Sequence, residues 1–141
     1  MVNVQLNCAR MVEERVKAGA KVLSDWIRRC RVAVGELRGE TFVKLLEMLV
    51  DSVLLCGAEV WGSCGQLAPI EKIQLRAARI FLEVGKLHPK VSLLFELNTL
   101  PLKWEGMKRC IEFWLKVMRM GEDRLLKQVM MQVMEFGDGV R

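Results

Sequence analysis

Four cationic side chains recur in the first part of the sequence at a spacing suited to phosphate binding: Arg10, Lys17, Lys21 and Arg28. On an α-helix, which turns about 100° per residue, these positions fall within about 20° of one line. That line lies about 125° from the centre of the apolar stripe, so the four cations are expected to face solvent. The row predicts a nucleic-acid-binding face that follows a phosphate backbone. Arg29 and Arg31 add charge near the helix C-terminus.

A second group of cations lies in the second half of the chain: Lys86, Lys90, Lys103, Lys108 and Arg109. Contacts of this kind to phosphates give affinity without sequence preference, so both groups predict backbone binding. The alternative for the first group is an ordinary solvated helix face. Glu14 and Asp25 lie close enough to reduce its positive field.

The cationic excess is concentrated in two blocks of the chain. Residues 1–39 carry eight basic and four acidic groups, and residues 84–120 carry seven and three, whereas the other segments are weakly acidic. The whole chain of 141 residues has a formal net charge of +5. This charge pattern is compatible with a nucleic-acid partner, although net charge alone does not identify one.

The sequence contains no motif typical of a catalytic site. His88 is the only histidine, and the five cysteines include no C-x-x-C pair, so we predict no metal site. No phosphate-binding loop, dinucleotide-binding motif or nucleophile elbow occurs, and no acidic pair is placed to hold two magnesium ions. We therefore predict no enzyme activity, no cofactor and no small-molecule substrate.

The cysteines are odd in number and widely spaced: Cys8, Cys30, Cys56, Cys64 and Cys110. The N-terminus becomes charged before an apolar signal segment can form. These features predict reduced thiols in an intracellular protein of the nucleus or cytoplasm. No apolar stretch is long enough to cross a bilayer, so no membrane anchoring is expected.

Apolar residues recur at intervals of three and four, which predicts an all-α fold of about six helices. We place them at residues 8–34, 41–55, 69–84, 91–97, 101–120 and 123–136. Gly35 and Gly39 are expected to end the first helix, and Gly85 the third. Pro69 and Pro101 suit the first turns of their helices.

The same intervals predict the buried face of each long helix. In the first helix these residues are Val12, Val16, Ala20, Leu23, Ile27, Cys30 and Val34, and in the second they are Phe42, Leu45, Leu46, Leu49 and Val53. In the helix after Pro101 they are Trp104, Met107, Ile111, Trp114, Leu115 and Met118, and in the last they are Leu126, Val129, Met130 and Val133. Trp104 and Trp114 are thus assigned to the core rather than to stacking on bases.

Glycines concentrate between Gly57 and Gly65, ahead of Pro69, and predict a joint in the chain. We divide the sequence into a helical pair at residues 1–56, the joint at 57–68 and a small helical bundle at 69–141.

Several segments, in order, resemble a known family over residues 14–120. Leu54-Leu-Cys-Gly-Ala-Glu-Val-Trp-Gly62 is similar to an LLYGAEVWG block, and Ile70-Glu-Lys-Ile-Gln-Leu-Arg-Ala-Ala-Arg-Ile-Phe-Leu82 to the helix that follows it. Leu100-Pro-Leu-Lys-Trp104 and Arg109-Cys-Ile-Glu-Phe-Trp114 resemble the stretch downstream. These blocks, with Arg15-Val-Lys-Ala-Gly-Ala-Lys-Val-Leu, belong to the non-LTR (LINE-type) retrotransposon reverse transcriptases, where they follow the palm.

The chain departs from the family pattern at two positions. Cys56 stands where the pattern has tyrosine, and Glu83 stands where it has glycine. The family's metal-binding palm aspartates have no counterpart here. The resemblance therefore implies a thumb and post-thumb fragment without the family's RNA-directed DNA polymerase activity.

In the family, thumb helices hold the template–primer duplex. The resemblance thus implies a non-catalytic module that binds an RNA–DNA or DNA duplex backbone, beside a separate or upstream palm. Two alternatives stay open. One is a helical protein-interaction or structural module, for which Met130, Met131 and Met134 offer an adaptable apolar face. The other is a decayed retroelement reading frame without function.

Overall fold

The computed structural model describes residues 4–30, 36–62 and 67–138, and within them it contains helices and no strands. The predicted all-α class is confirmed. The helices are α1 (Val4–Cys30), α2 (Gly39–Leu46), α3 (Ser52–Leu54), α4 (Ala58–Trp61), α5 (Ala68–Leu82), α6 (Lys90–Glu96), α7 (Leu102–Met118) and α8 (Leu125–Asp138). A π-helical turn, Glu47–Asp51, joins α2 to α3. With α2, the π turn and α3 counted as one continuous run, the described part forms seven helical segments, close to the predicted six.

The long helix α1 buries the face that its apolar spacing predicts. Val12 and Leu23 are fully packed, and Val16 and Ala20 are half-buried against the same core. α1 packs against the π turn, α3 and α5. The predicted end of this helix at Gly35 lies outside the described residues.

Three aromatic rings form the centre of the contact between α1, α2 and α5. The rings of Trp26 and Phe42 lie 5.3 Å apart between centroids, and those of Phe42 and Phe81 lie 4.0 Å apart. Both pairs are stacked. Burial of large aromatic side chains contributes much of the packing energy of a small core.

The π-helical turn changes which residues of the second helical run face the core. Buried positions are Phe42, Leu46, Val50, Asp51, Leu54 and Leu55. Leu49, which we predicted to be buried, is exposed, and Leu45 and Val53 are only half-buried. A π turn inserts one residue into the helical repeat, and the inserted residue rotates the later positions. The 3.6-residue pattern does not foresee this rotation.

The glycine-rich segment that we predicted as a joint begins with a packed helix. Gly57 adopts a left-handed φ of 78°, a conformation that glycine accepts readily, and α4 follows it directly. Trp61 of α4 is completely buried, and its Nε1 donates a hydrogen bond to the Cys56 carbonyl oxygen at 3.2 Å. The division at residues 57–68 stays a prediction, since residues 63–66 lie outside the described part.

Helices α4 and α7 approach closely through glycine. A Cβ atom on Gly62 would lie 2.5 Å from the carbonyl oxygen of Gly106 and 2.5 Å from that of Ala58. Gly106 is itself buried. The backbones of α4 and α7 therefore meet at a distance that a side chain on Gly62 would not allow.

The prediction for the buried face of α7 is wrong. Leu102, Gly106 and Val117 are buried, whereas the following predicted core residues are exposed: Trp104, Met107, Ile111, Leu115 and Met118. Trp114 is half-buried. The helix packs through its glycine-containing side, which carries a weaker hydrophobic signal than the apolar stripe on the opposite side. We call the five exposed residues the α7 stripe.

The last helix also differs from its prediction. Leu126 and Val129 of α8 are exposed, Met130 is half-buried, and the side chain of Val133 lies outside the described set. α8 packs mainly against α7, and only over a small area, so most of its apolar face lies outside the core.

Helix α5 ends two residues earlier than predicted. Glu83 adopts a left-handed conformation with φ 54° and ψ 33°, and the Val84 N–H donates a hydrogen bond to the Arg79 carbonyl at 3.2 Å. The prediction that Gly85 ends this helix is wrong, because the chain has already turned at Glu83.

The cysteines differ in state. Cys56 and Cys110 are free thiols, whereas Cys8 is disulfide-bonded. The prediction of reduced thiols is therefore wrong for Cys8. Disulfide pairing depends on the approach of two Cα atoms in the fold, which sequence spacing does not report.

Candidate nucleic-acid interface

The four aligned cations of α1 lie on the exposed side of the helix, as predicted. Three of them form ion pairs within the helix: Arg10 Nε with Glu14 Oε1 at 3.3 Å, Lys17 Nζ with Glu13 Oε1 at 2.6 Å, and Arg28 Nη2 with Asp25 Oδ1 at 2.7 Å. The hydrogen bond from Lys17 holds the pKa of Glu13 below its ordinary value. The positive face is thus partly neutralised by its own helix.

Two of the cations predicted for this face, Lys21 and Arg29, have no ion pair among the described residues, and both are exposed. Arg31, the remaining cation predicted for this face, lies outside the described residues. Arg15, which is half-buried, also forms no ion pair with any of the described residues, so α1 has three unpaired cations beside its three ion pairs.

The ion pairs of α1 are weak enough to exchange with a phosphate. All three involve side chains that are largely exposed. Exposed pairs one helical turn apart contribute about 0.3–0.5 kcal/mol, and salt screens them. A polyanion gains additional free energy when several phosphates release their counterions together.

The second predicted group divides into two parts. Lys86, Lys90 and Lys103 are exposed, and the Lys103 Nζ lies 5.5 Å from the centre of the Trp104 ring. Lys108 and Arg109 share the carboxylate of Glu105: the Lys108 Nζ lies 3.9 Å from Oε2, and the Arg109 Nε lies 3.4 Å from Oε1.

Arg109 is the least suited of the predicted site residues to contact a duplex. Its side chain is half-buried and lines a cavity of about 440 Å³ between the π turn and α7. Its guanidinium pairs with the carboxylate of Glu105, which lines the same cavity. We therefore retain Lys86, Lys90 and Lys103 as the second group's most accessible cations.

The cavity beside Arg109 contains an acidic residue that sequence analysis missed. Asp51 is only 8% exposed, and its Oδ1 has no hydrogen-bond partner. Burial, followed by the nearby Glu47 carboxylate, raises the pKa of Asp51 to about 7, although the Arg109 guanidinium acts in the opposite direction. The signal in the sequence is a single carboxylate within the apolar run from Met48 to Leu55.

The described residues contain no group of three or more histidine, cysteine or acidic side chains that could hold a metal ion. None of the helices in residues 4–30, 36–62 and 67–138 is long and apolar enough to cross a membrane.

Comparison with known proteins adds no relative to this description. No protein-family model, no curated protein and no solved structure matches the chain. The resemblance to non-LTR reverse transcriptases therefore rests on the sequence blocks at residues 14–120.

Proposed function

We propose that this chain is a non-catalytic thumb and post-thumb fragment of a non-LTR retrotransposon reverse transcriptase. Its role is to bind the backbone of a template–primer duplex beside a palm that another segment or chain supplies. The proposal extends to an intracellular location and to the absence of polymerase activity. The observation that carries the binding role is the row of exposed cations along α1.

The geometry of α1 supports backbone contact in a specific way. Lys21 and Arg29 are free to meet phosphates directly, whereas Arg10, Lys17 and Arg28 first exchange a carboxylate. Because phosphate contacts carry no base information, we expect similar affinity for duplexes of different sequence. We also expect affinity to fall steeply with salt.

The direct test is binding of the whole chain to a fluorescent RNA–DNA hybrid. The variant Lys17→Glu/Lys21→Glu/Arg28→Glu is expected to abolish binding at about 50 mM salt, because it replaces three phosphate contacts by repulsion. The matched control is Lys44→Glu/Lys72→Glu/Arg76→Glu, which reverses three exposed cations of α2 and α5 outside both predicted groups. Circular dichroism checks that both variants remain helical.

The control is expected to weaken binding only modestly, through net charge. Equal affinity of the triple variant and the unmodified chain would contradict the assignment of α1. Equal loss of affinity in the triple variant and the control would show that net charge, and not a defined face of α1, determines binding.

A second candidate function is a helical protein-interaction module, and the α7 stripe favours it. Trp104, Ile111 and Leu115 are each at least half exposed, on a helix whose other side is packed. Single exposed apolar residues are ordinary, but a continuous stripe is typical of an interaction surface. A monodisperse chain that ignores nucleic acid in sedimentation experiments at low and high salt would favour this alternative. Aggregation with a disordered spectrum would favour a decayed reading frame.

A further inference from the structure

The cavity that contains Asp51 combines polar and apolar walls in one place. It has a volume of about 440 Å³, within the range of small-molecule sites. Three carboxylates line it, those of Glu47, Asp51 and Glu105, against the single guanidinium of Arg109. The apolar side chains Val43, Leu46, Leu55 and Leu102 complete part of the wall.

The charges in this cavity do not balance. Arg109 pairs with Glu105, with 3.4 Å between Nε and Oε1. Asp51 and Glu47 form no ion pair among the described residues, and the Asp51 Oδ1 is buried without any hydrogen bond. A buried acceptor without a partner is costly, which makes it a position where a ligand gains free energy.

Three uncharged polar side chains also line the cavity, those of Gln74, Asn98 and Thr99, and Gln74 is already hydrogen-bonded elsewhere. The Gln74 Nε2 donates to the Leu100 carbonyl at 2.9 Å, and its Oε1 accepts from the Leu102 N–H at 3.2 Å. These two bonds hold Gln74 against the chain that enters α7. No described residue, including Gln74, Asn98 and Thr99, donates a hydrogen bond to Asp51 Oδ1, so this acceptor is available to a ligand.

The π-helical turn is a second, independent feature of the site. Asp51 is the last residue of this turn, and the turn brings Asp51 and Leu55 to the packed side of the run. Single π turns within α-helices occur frequently at functional sites, because they place a side chain where the regular repeat does not.

We propose that this cavity binds an organic cation, an ammonium or guanidinium group on a short apolar stem. Its N–H groups donate to Asp51 Oδ1, its charge faces Glu47, and its stem contacts Leu46 and Leu55. The described residues offer no metal-binding cluster, so an organic cation fits the site better than a metal ion. This inference is independent of the duplex-binding proposal.

The charged groups that act on Asp51 determine how binding depends on pH. Glu47 on the same turn and Glu105 on α7 disfavour ionisation of Asp51, and Arg109 on α7 favours it. Because the pKa of Asp51 is raised to about 7, the fraction ionised rises about tenfold between pH 6 and pH 8. Affinity for a permanent cation should rise by about the same factor.

The test titrates the whole chain with butylguanidinium and follows backbone amides by NMR. Butylurea has nearly the same shape without the charge and serves as the control ligand. We expect butylguanidinium to shift amides of the π turn and of residues 98–105, about tenfold more tightly at pH 8 than at pH 6. Butylurea should bind weakly and equally at both pH values.

The variant Asp51→Asn should bind butylguanidinium more weakly and without the pH dependence. The control variant Glu112→Gln removes an exposed carboxylate of α7 outside this cavity and should bind as the unmodified chain does. If Asp51→Asn fails to fold, the two ligands at two pH values still decide the question. Equal binding of the two ligands, or no amide shifts at pH 8, would overturn the proposal.

A third ligand, the capped peptide Gly-Arg-Gly, distinguishes an arginine side chain of a partner from a free guanidine or amine. Binding at least as tight as that of butylguanidinium would assign the cavity to an arginine side chain of a partner. Weaker binding of the peptide would assign it to a free guanidine or amine.

Discussion

Glu83 ends α5 in a conformation that glycine adopts at lower cost. Its φ of 54° lies in the left-handed region, where the Cβ of an L-residue crowds the backbone at a cost of about 1 kcal/mol. The resemblance to non-LTR reverse transcriptases has glycine at this position. A glycine at position 83 would adopt this left-handed conformation without the crowding that a Cβ atom causes.

Replacing Glu83 by glycine should therefore stabilise the protein. We expect Glu83→Gly to raise the free energy of unfolding by about 1 kcal/mol, measured by urea denaturation at pH 7. Glu83→Ala is the matched control, since it removes the charge and keeps the Cβ atom. A gain from alanine equal to that from glycine would assign the effect to charge instead of backbone strain.

Cys56, the other departure from the family pattern, needs no compensation in this fold. Its side chain is exposed, and its hydrogen bonds are made by the backbone: the N–H donates to the Val53 carbonyl at 3.4 Å, and the carbonyl oxygen accepts from the buried Trp61. A backbone acceptor is present whatever the side chain is. Cysteine or tyrosine at this position would therefore leave the hydrogen bond to Trp61 intact.

At the scale of elements, most helices were predictable from sequence, but the buried faces of α7, α8 and the run through the π turn were not. The face of α1 was predicted correctly because large apolar residues such as Leu23 and Trp26 make its contacts. The face of α7 was not, because Gly106 contributes no side chain to the periodicity, and its backbone packs against Gly62, where a Cβ atom would lie 2.5 Å from the Gly106 carbonyl oxygen. The ion pair of Lys17 with Glu13 is also readable from the sequence, as an i, i+4 spacing of opposite charges.

The Asp51 cavity was beyond prediction for another reason. Its charged walls come from positions far apart in the chain, and the π turn at Glu47–Asp51 has no reliable signature in the sequence. Sequence analysis placed Arg109 on a basic surface. In the fold the same residue faces carboxylates.

A matched pair of substitutions tests the orientation of α7. Ile111→Ala, at a 56% exposed position, should change the free energy of unfolding by less than about 0.5 kcal/mol. Val117→Ala removes fewer carbon atoms but empties a buried site, and should cost about 1–3 kcal/mol. Chemical denaturation measures both. A larger loss of unfolding free energy for Ile111→Ala than for Val117→Ala would indicate that the α7 stripe is buried, and would contradict this orientation.

At the scale of the whole molecule, the buried Asp51 links stability to pH. Its pKa is about 7 in the folded chain against an ordinary value near 3.8, so the folded state holds a proton that the unfolded state has lost. This contribution is fully present below pH 3.8 and is lost as the pH rises through 7. The contribution of Asp51 to stability thus falls with pH, whereas that of most carboxylates rises.

The expected loss between pH 5 and pH 8 is about 2–3 kcal/mol of unfolding free energy from this residue. Urea denaturation of the unmodified chain and of Asp51→Asn at both pH values isolates the contribution, because the asparagine does not titrate. The difference in stability between asparagine and aspartate should increase toward pH 8 in favour of asparagine. A difference independent of pH would show that Asp51 has an ordinary pKa.

The overall charge of the molecule matters less than its arrangement on α1. Glu13, Glu14 and Asp25 hold three of the four aligned cations, so they should compete with phosphates for them. Replacing these carboxylates by amides would release Arg10, Lys17 and Arg28 without adding any new cation. Duplex binding should then strengthen.

The decisive measurement is the affinity of the whole chain for a fluorescent RNA–DNA hybrid between about 50 and 200 mM salt. It compares the unmodified chain, Glu13→Gln/Glu14→Gln/Asp25→Asn, and the equally charged control Glu40→Gln/Glu96→Gln/Glu112→Gln. We predict that the α1 variant binds about tenfold more tightly than the control and has the steepest salt dependence. Equal affinities and slopes for the two variants, or no binding by any of the three proteins, would contradict a nucleic-acid-binding role for α1.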